Sequence, residues 1–125
     1  MMKFGRLVKS FSHAIRGVCV VFHSEQSFRI QTVIAVWVFI LALFFHIRAF
    51  EWIILLLLVG SILILEIINS ILERIVDAFK PRIHPVVKDI KDMMAGVVLL
   101  GSVISFFIGM TIFLPYVLKL VRSFG

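Results

Sequence analysis

A chain of 125 residues supports one domain, and with 62% hydrophobic against 16% charged residues it is far more apolar than a water-soluble domain, in which roughly half the residues are apolar. That excess excludes a water-soluble fold and calls for cover by lipid or by further copies of the chain. The formal charge of +6 does not point to nucleic acid: the basic residues are split among the N-terminal segment, one internal loop and the C-terminus, with no compact basic patch interleaved with aromatics. Cys19 stands alone, which rules out an intrachain disulfide, and no Cys/His spacing suggests zinc.

In chain order, residues 1–25 come first. Phe4, Leu7, Val8, Phe11, Ile15, Val18 and Phe22 recur at helical intervals, while Lys3, Arg6, Lys9, His13 and Arg16 fall on the other side. The pattern predicts an amphipathic helix lying on the membrane surface. A cleavable signal peptide is the competing reading, but the basic stretch is too long and no small-residue cleavage site precedes a soluble domain. Residues 30–47 then form an apolar run long enough to cross a bilayer, which takes roughly 17 to 25 residues. After a turn at residues 48–51, a second helical span covers 52–79. It is apolar or small only as far as Leu65; Glu66, Asn69, Glu73 and Asp77 follow, and Pro81 and Pro85 interrupt the helix because proline lacks the amide donor. A third span covers 93–118, with Pro115 near its end, where a break costs least. Within it, Gly101, Ser105 and Gly109 lie four residues apart, a spacing that lets another helix approach closely or that reflects the general frequency of glycine in membrane helices. There is no internal repeat or low-complexity linker. The expected fold is an all-α integral membrane protein, a single domain over residues 1–125, with a surface helix and three transmembrane helices.

Charge asymmetry sets the orientation. Lys3, Arg6, Lys9, Arg16, Arg29, Lys80, Arg82, Lys88 and Lys91 outnumber Arg48, Lys119 and Arg122 on the opposite side, which makes the N-terminus and the loop between the second and third spans cytoplasmic. The polar half of the second span then faces the cytoplasm.

That half carries the chemistry. Glu66, Asn69, Glu73 and Asp77 stand at relative positions 0, 3, 7 and 11, which at about 100° per residue fall within an arc of roughly 80°. An ionisable side chain in a span costs roughly 2.5 to 3.5 kcal/mol on insertion scales, so several on one face call for water, a partner charge or a metal. A solvated extension beyond the membrane would account for Asp77 and for Glu73, but not for Glu66, which directly follows the apolar run. Carboxylates with an amide suit a hard cation, since magnesium takes oxygen ligands and bridges a few carboxylates to substrate phosphates. Glu25, at the start of the first span, can join them. The cytoplasmic loop adds Arg82, His84, Lys88, Asp89, Lys91 and Asp92, groups able to hold polyphosphate and ribose, although a positive-inside anchor alone accounts for Lys80, Arg82 and Lys88. The known glycine-rich phosphate loops are absent, so a bound nucleotide would rest on side chains at helix ends.

The pattern Glu66-x-x-Asn69-Ser70-x-x-Glu73-x-x-x-Asp77, with Lys91-Asp92 after it and Glu25-x-x-Phe28-Arg29 before it, resembles the small prokaryotic membrane kinases of the diacylglycerol kinase and undecaprenol kinase family over nearly the whole chain. The resemblance implies a homotrimeric bundle with active sites shared between neighbours, and transfer of the terminal phosphate of magnesium ATP to a lipid hydroxyl. It also implies roles: Glu66 as general base, Asn69 positioning substrate or base, and Glu25 and Glu73 as magnesium ligands beside the ATP phosphates. Lys91 and Asp92 would contact nucleotide, with Arg6, His13, Arg82 and His84 as further contacts and Asp77 as support. The chain departs from many relatives at Ile71, at the basic Lys80-Pro81-Arg82 and at Gln31, where the diacylglycerol kinase branch has an acid.

The segments Ser10-Phe11-Ser12-His13-Ala14-Ile15-Arg16-Gly17, His84-Pro85 and Ile112-Phe113-Leu114-Pro115 are more similar to the Gram-positive undecaprenol kinase branch, which makes undecaprenol the expected acceptor, diacylglycerol the alternative, and a bacterial plasma membrane the expected location. The competing classes are a proton- or cation-conducting oligomer and a structural subunit. Conduction favours polar residues along the full depth of a span, yet residues 52–65 offer only Gly60 and Ser61.

Overall fold

The computed structural model describes residues 3–79 and 84–125, with the side chain of His84 outside the description. The described residues form four helices: α1 (Phe4–Ser24), α2 (Gln26–Phe45), α3 (Ala49–Ala78) and α4 (His84–Phe124). By length and composition, α2, α3 and residues Pro85–Phe124 of α4 are able to cross a membrane. The described residues are therefore all-helical, with three membrane-spanning candidates.

Each joint has a local cause. Between α1 and α2, Glu25 adopts an extended conformation (φ −114°, ψ 112°), and its amide donates to the Val21 carbonyl at 2.8 Å. Arg29, one turn into α2, donates through Nη1 to the carbonyls of Phe22 (2.9 Å) and His23 (2.8 Å), satisfying groups that the end of α1 leaves without helical partners. At the opposite end of α2, His46 takes a left-handed conformation (φ 52°), and the Ile47 amide returns to the Ala42 carbonyl at 3.3 Å. α3 then starts at Ala49, earlier than the apolar run alone indicates, because the Glu51 carboxylate accepts from the Arg48 amide at 3.0 Å and satisfies an exposed donor of the first turn. Pro85 likewise stands in the first turn of α4, where a proline costs nothing in amide pairing, so α4 extends well to the N-terminal side of the apolar run at 93–118.

A buried apolar cluster lies at the joint between α2 and α3. Ala42, Ile47 and Leu55 are buried there, with Phe39, Trp52, Phe113 and Tyr116 among the groups around them. The Phe39 and Trp52 rings stack with centroids 6.0 Å apart. α4 meets α3 further along, where a Cβ on Gly101 would stand 3.2 Å from Leu65 Cδ1 and 3.4 Å from Ile62 Cδ1. Of the small residues four apart on α4, Gly101 thus lets a helix approach closely, and that helix is α3 of the same chain.

Candidate active site

The polar stripe lies on α3 at the end away from that packed core. Its first member, Glu66, follows the apolar residues of α3 directly and is buried, with 6% of its surface exposed. Ser70, one turn further, is 1% exposed and donates to Glu25 Oε1 at 3.0 Å. This bond joins residues 45 apart in sequence, and it fixes the hinge between α1 and α2 against the stripe. Arg74 strengthens the same joint, donating to Ser24 Oγ at 2.8 Å. Asn69 donates through Nδ2 to Glu73 Oε1 at 3.5 Å, while its Oδ1 is buried with no partner among the described residues. An unpartnered buried acceptor is uncommon in a folded protein and marks a position where a ligand, water or ion completes the pairing.

Glu66, Glu25 and Glu73 are near enough for their charges to interact, so three carboxylates share one face. Among the described residues Glu66 accepts no hydrogen bond. Past them, Lys91 Nζ of α4 pairs with Asp77 Oδ1 at 2.6 Å and adds a positive charge near Glu73. The structure thus gathers Glu25, Glu66, Asn69, Glu73, Asp77 and Lys91.

The other candidates behave differently. Asp92 is exposed on α4. Arg6 and His13 are exposed on α1, about 28 and 18 Å from Glu25 along a straight helix, so a single chain does not bring them to the stripe. Arg82 and the His84 side chain lie outside the described residues. Residue patterning missed the roles of Ser24, Arg29 and Arg74 at the hinge, and of Ser70 against Glu25. Ser70 was within reach of the same periodicity, since it stands four residues after Glu66 on the same face.

No group of three or more His, Cys, Asp or Glu among the described residues is arranged to hold a metal. The donor set still fits magnesium, which binds through one or two carboxylates plus substrate phosphates and does not need an all-protein cage. Glu25 and Glu73 each retain acceptor capacity beyond the one bond described, and Asn69 Oδ1 is a further oxygen donor without a partner.

Comparisons with known proteins identify the family. The family model described as prokaryotic diacylglycerol kinase matches residues 12–113. An undecaprenol kinase of Bacillus subtilis (strain 168) is 37% identical over 113 residues, covering 90% of this chain and 92% of that protein. A diacylglycerol kinase of Synechocystis is 35% identical over 115 residues (91% of this chain, 66% of its own), and one of Helicobacter pylori (strain J99) is 30% identical over 105 residues (84% and 82%). No solved structure gives a significant match. With the matched region running from α1 to the outer part of α4, the chain belongs to the prokaryotic diacylglycerol kinase family of membrane lipid kinases.

Proposed function

We propose that this chain transfers the terminal phosphate of ATP to the hydroxyl of undecaprenol, with diacylglycerol as a poorer acceptor. The observation that carries the reading is Glu66: a residue with 6% of its surface exposed whose carboxylate accepts no hydrogen bond among the described residues, on one face with two further carboxylates and the unpartnered Asn69 oxygen. Such a group is costly to the fold and suits a base awaiting a substrate proton.

In the proposed reaction the lipid hydroxyl stands against Glu66 and its oxygen attacks the terminal phosphorus. The bond from that phosphorus to the bridging oxygen breaks, ADP leaves, and the hydroxyl proton passes to the Glu66 carboxylate. Glu25 and Glu73 are the residues that would hold magnesium, which when bound would supply positive charge to the transferring group. Asn69 positions the substrate or the base, and its Oδ1 remains an acceptor for a bound donor. Ser70 holds Glu25 in place, and Lys91 and Asp92 are the nearest candidates for nucleotide contact, with Asp77 supporting Lys91.

The same proposal puts the stripe and the N-terminus on the cytoplasmic side, where ATP is available, on the strength of the basic residues at that end. α1 then lies along the membrane surface, with its apolar side in the interface. Two observations support an oligomer with shared sites, and the family resemblance makes it a homotrimer. Only 6% of the most apolar stretch of α4 is buried within one chain, and a neighbour's α1 would carry Arg6 and His13 to a stripe that these two residues do not reach in their own chain. Undecaprenol is preferred because the similar Bacillus protein is named for it, and because a polyprenol has no glycerol esters to match an acid at position 31, where this chain has Gln31.

The test supplies purified protein with radiolabelled ATP and with undecaprenol and diacylglycerol in the same mixed micelles. Faster initial labelling of undecaprenol is expected. A clear preference for diacylglycerol overturns the acceptor and leaves the kinase in place.

A further inference from the structure

A groove of about 450 Å³ runs between α2, α3 and α4 on the membrane side of the stripe. Its lining is almost wholly apolar, with Gln31 and Ser102 among its few polar groups and Leu55 and Phe113 at the end towards the α2–α3 joint. The α3 lining residues Leu55, Val59 and Ile62 precede Glu66 by eleven, seven and four positions. At about 100° per residue they share with Glu66 an arc of roughly 60°, so the polar stripe and the groove floor are one continuous helix face. From Glu66 to Leu55 that face is about 16 Å long. A ligand matching it has a polar, hydroxyl-bearing end and a long apolar tail. Ser102 Oγ adds to this, being buried in the groove lining without a partner among the described residues.

The two glycines that α4 presents to this region differ. A Cβ on Gly101 would press on Leu65 at 3.2 Å, whereas a Cβ on Gly109 would meet nothing within 4 Å. Gly109 therefore does not serve helix contact within the chain; it leaves open space in the wall of the groove. We infer that Gly109 is a specificity-determining residue, keeping the deep part of the groove open for the extended tail of a long polyprenol. The inference rests on the lipid-kinase reading above. The occupant it commits to is the acceptor's own tail, for which a hydroxyl site at one end of a continuous apolar floor is the matching shape.

Gly109→Leu tests it, because its side chain starts from a Cβ that meets nothing within 4 Å. Undecaprenol is compared with geraniol, whose ten-carbon tail is shorter than the groove floor of about 16 Å from Glu66 to Leu55. The variant is expected to raise KM for undecaprenol at least about tenfold relative to geraniol, with KM for ATP unchanged, as filling a hydrophobic pocket does. Gly109→Ala should show the same trend more weakly. If both alcohols are affected equally, or neither is, Gly109 does not select the tail. If Gly109→Leu instead dissociates the oligomer in cross-linking, a second copy occupies the groove and the inference is wrong. A wild-type protein that phosphorylates neither alcohol overturns the kinase reading itself, an outcome distinct from an active wild type with an unselective variant.

Discussion

α3 carries one buried carboxylate near its start and another just past its middle, and the two are treated in opposite ways. Glu51 is 8% exposed and accepts hydrogen bonds from the Arg48 amide at 3.0 Å, from Arg48 Nε at 3.4 Å and from the Tyr116 hydroxyl. Glu66 is as deeply buried, accepts none among the described residues, and has Glu25 and Glu73 as charged neighbours of its own sign. A buried charge with several donors ties elements together, here the start of α3 to the outer part of α4. A buried charge with none weakens the fold, and its retention points to a task outside folding. Burial alone therefore does not separate a structural acid from a reactive one; the count of donors does.

Substitutions around the two carboxylates sharpen that contrast. The largest effect is expected at Glu66→Gln, which removes the proton acceptor and should lower turnover by about 10² to 10⁴-fold, the usual contribution of a general base. Because an uncompensated charge is removed, the unfolding midpoint in detergent should hold or rise. Near-normal turnover would take the base role away from Glu66. Next in size, Glu25→Ala and Glu73→Ala should each raise the magnesium concentration for half-maximal activity by roughly tenfold or more, since a metal that shares its ligands with substrate oxygens loses one of few protein donors. Magnesium titrations that superimpose on wild type would remove both residues from the metal site. The smallest effect on catalysis is expected around Glu51. Tyr116→Phe deletes one donor to Glu51 and should cost about 1 to 3 kcal/mol of stability, read from the unfolding midpoint. Its turnover should stay within about twofold of wild type, because the altered bond is remote from the stripe.

Much of this was legible in the sequence, for identifiable reasons. The apolar runs announced three spans because hydrocarbon tolerates little else, and the recurrence of Glu66, Asn69, Glu73 and Asp77 on one helix face is a local property that periodicity detects. The Glu25–Ser70 bond was not legible, since nothing local ties residues 45 apart, and only the packing of the α1–α2 hinge on α3 reveals it. The same holds for Tyr116 and Glu51, 65 residues apart. Glu51 read as part of a turn, although its position three residues after Arg48 has the spacing of a helix-capping residue. Pro85 read as an interruption because proline is disfavoured inside helices, and that preference says nothing against the first turn, where it stands. Gly101 and Gly109 were indistinguishable in sequence; what each faces separates them.

The central claim is that the carboxylate without a protein donor performs chemistry and the one with several donors holds structure. Its most direct test is turnover and unfolding midpoint measured together for Glu66→Gln and Glu51→Gln in the same detergent. The two variants should cross: Glu66→Gln loses phosphoryl transfer and keeps its stability, while Glu51→Gln loses stability and keeps transfer. A folded Glu51→Gln protein as inactive as Glu66→Gln, or a Glu66→Gln protein that still phosphorylates lipid, would contradict the account.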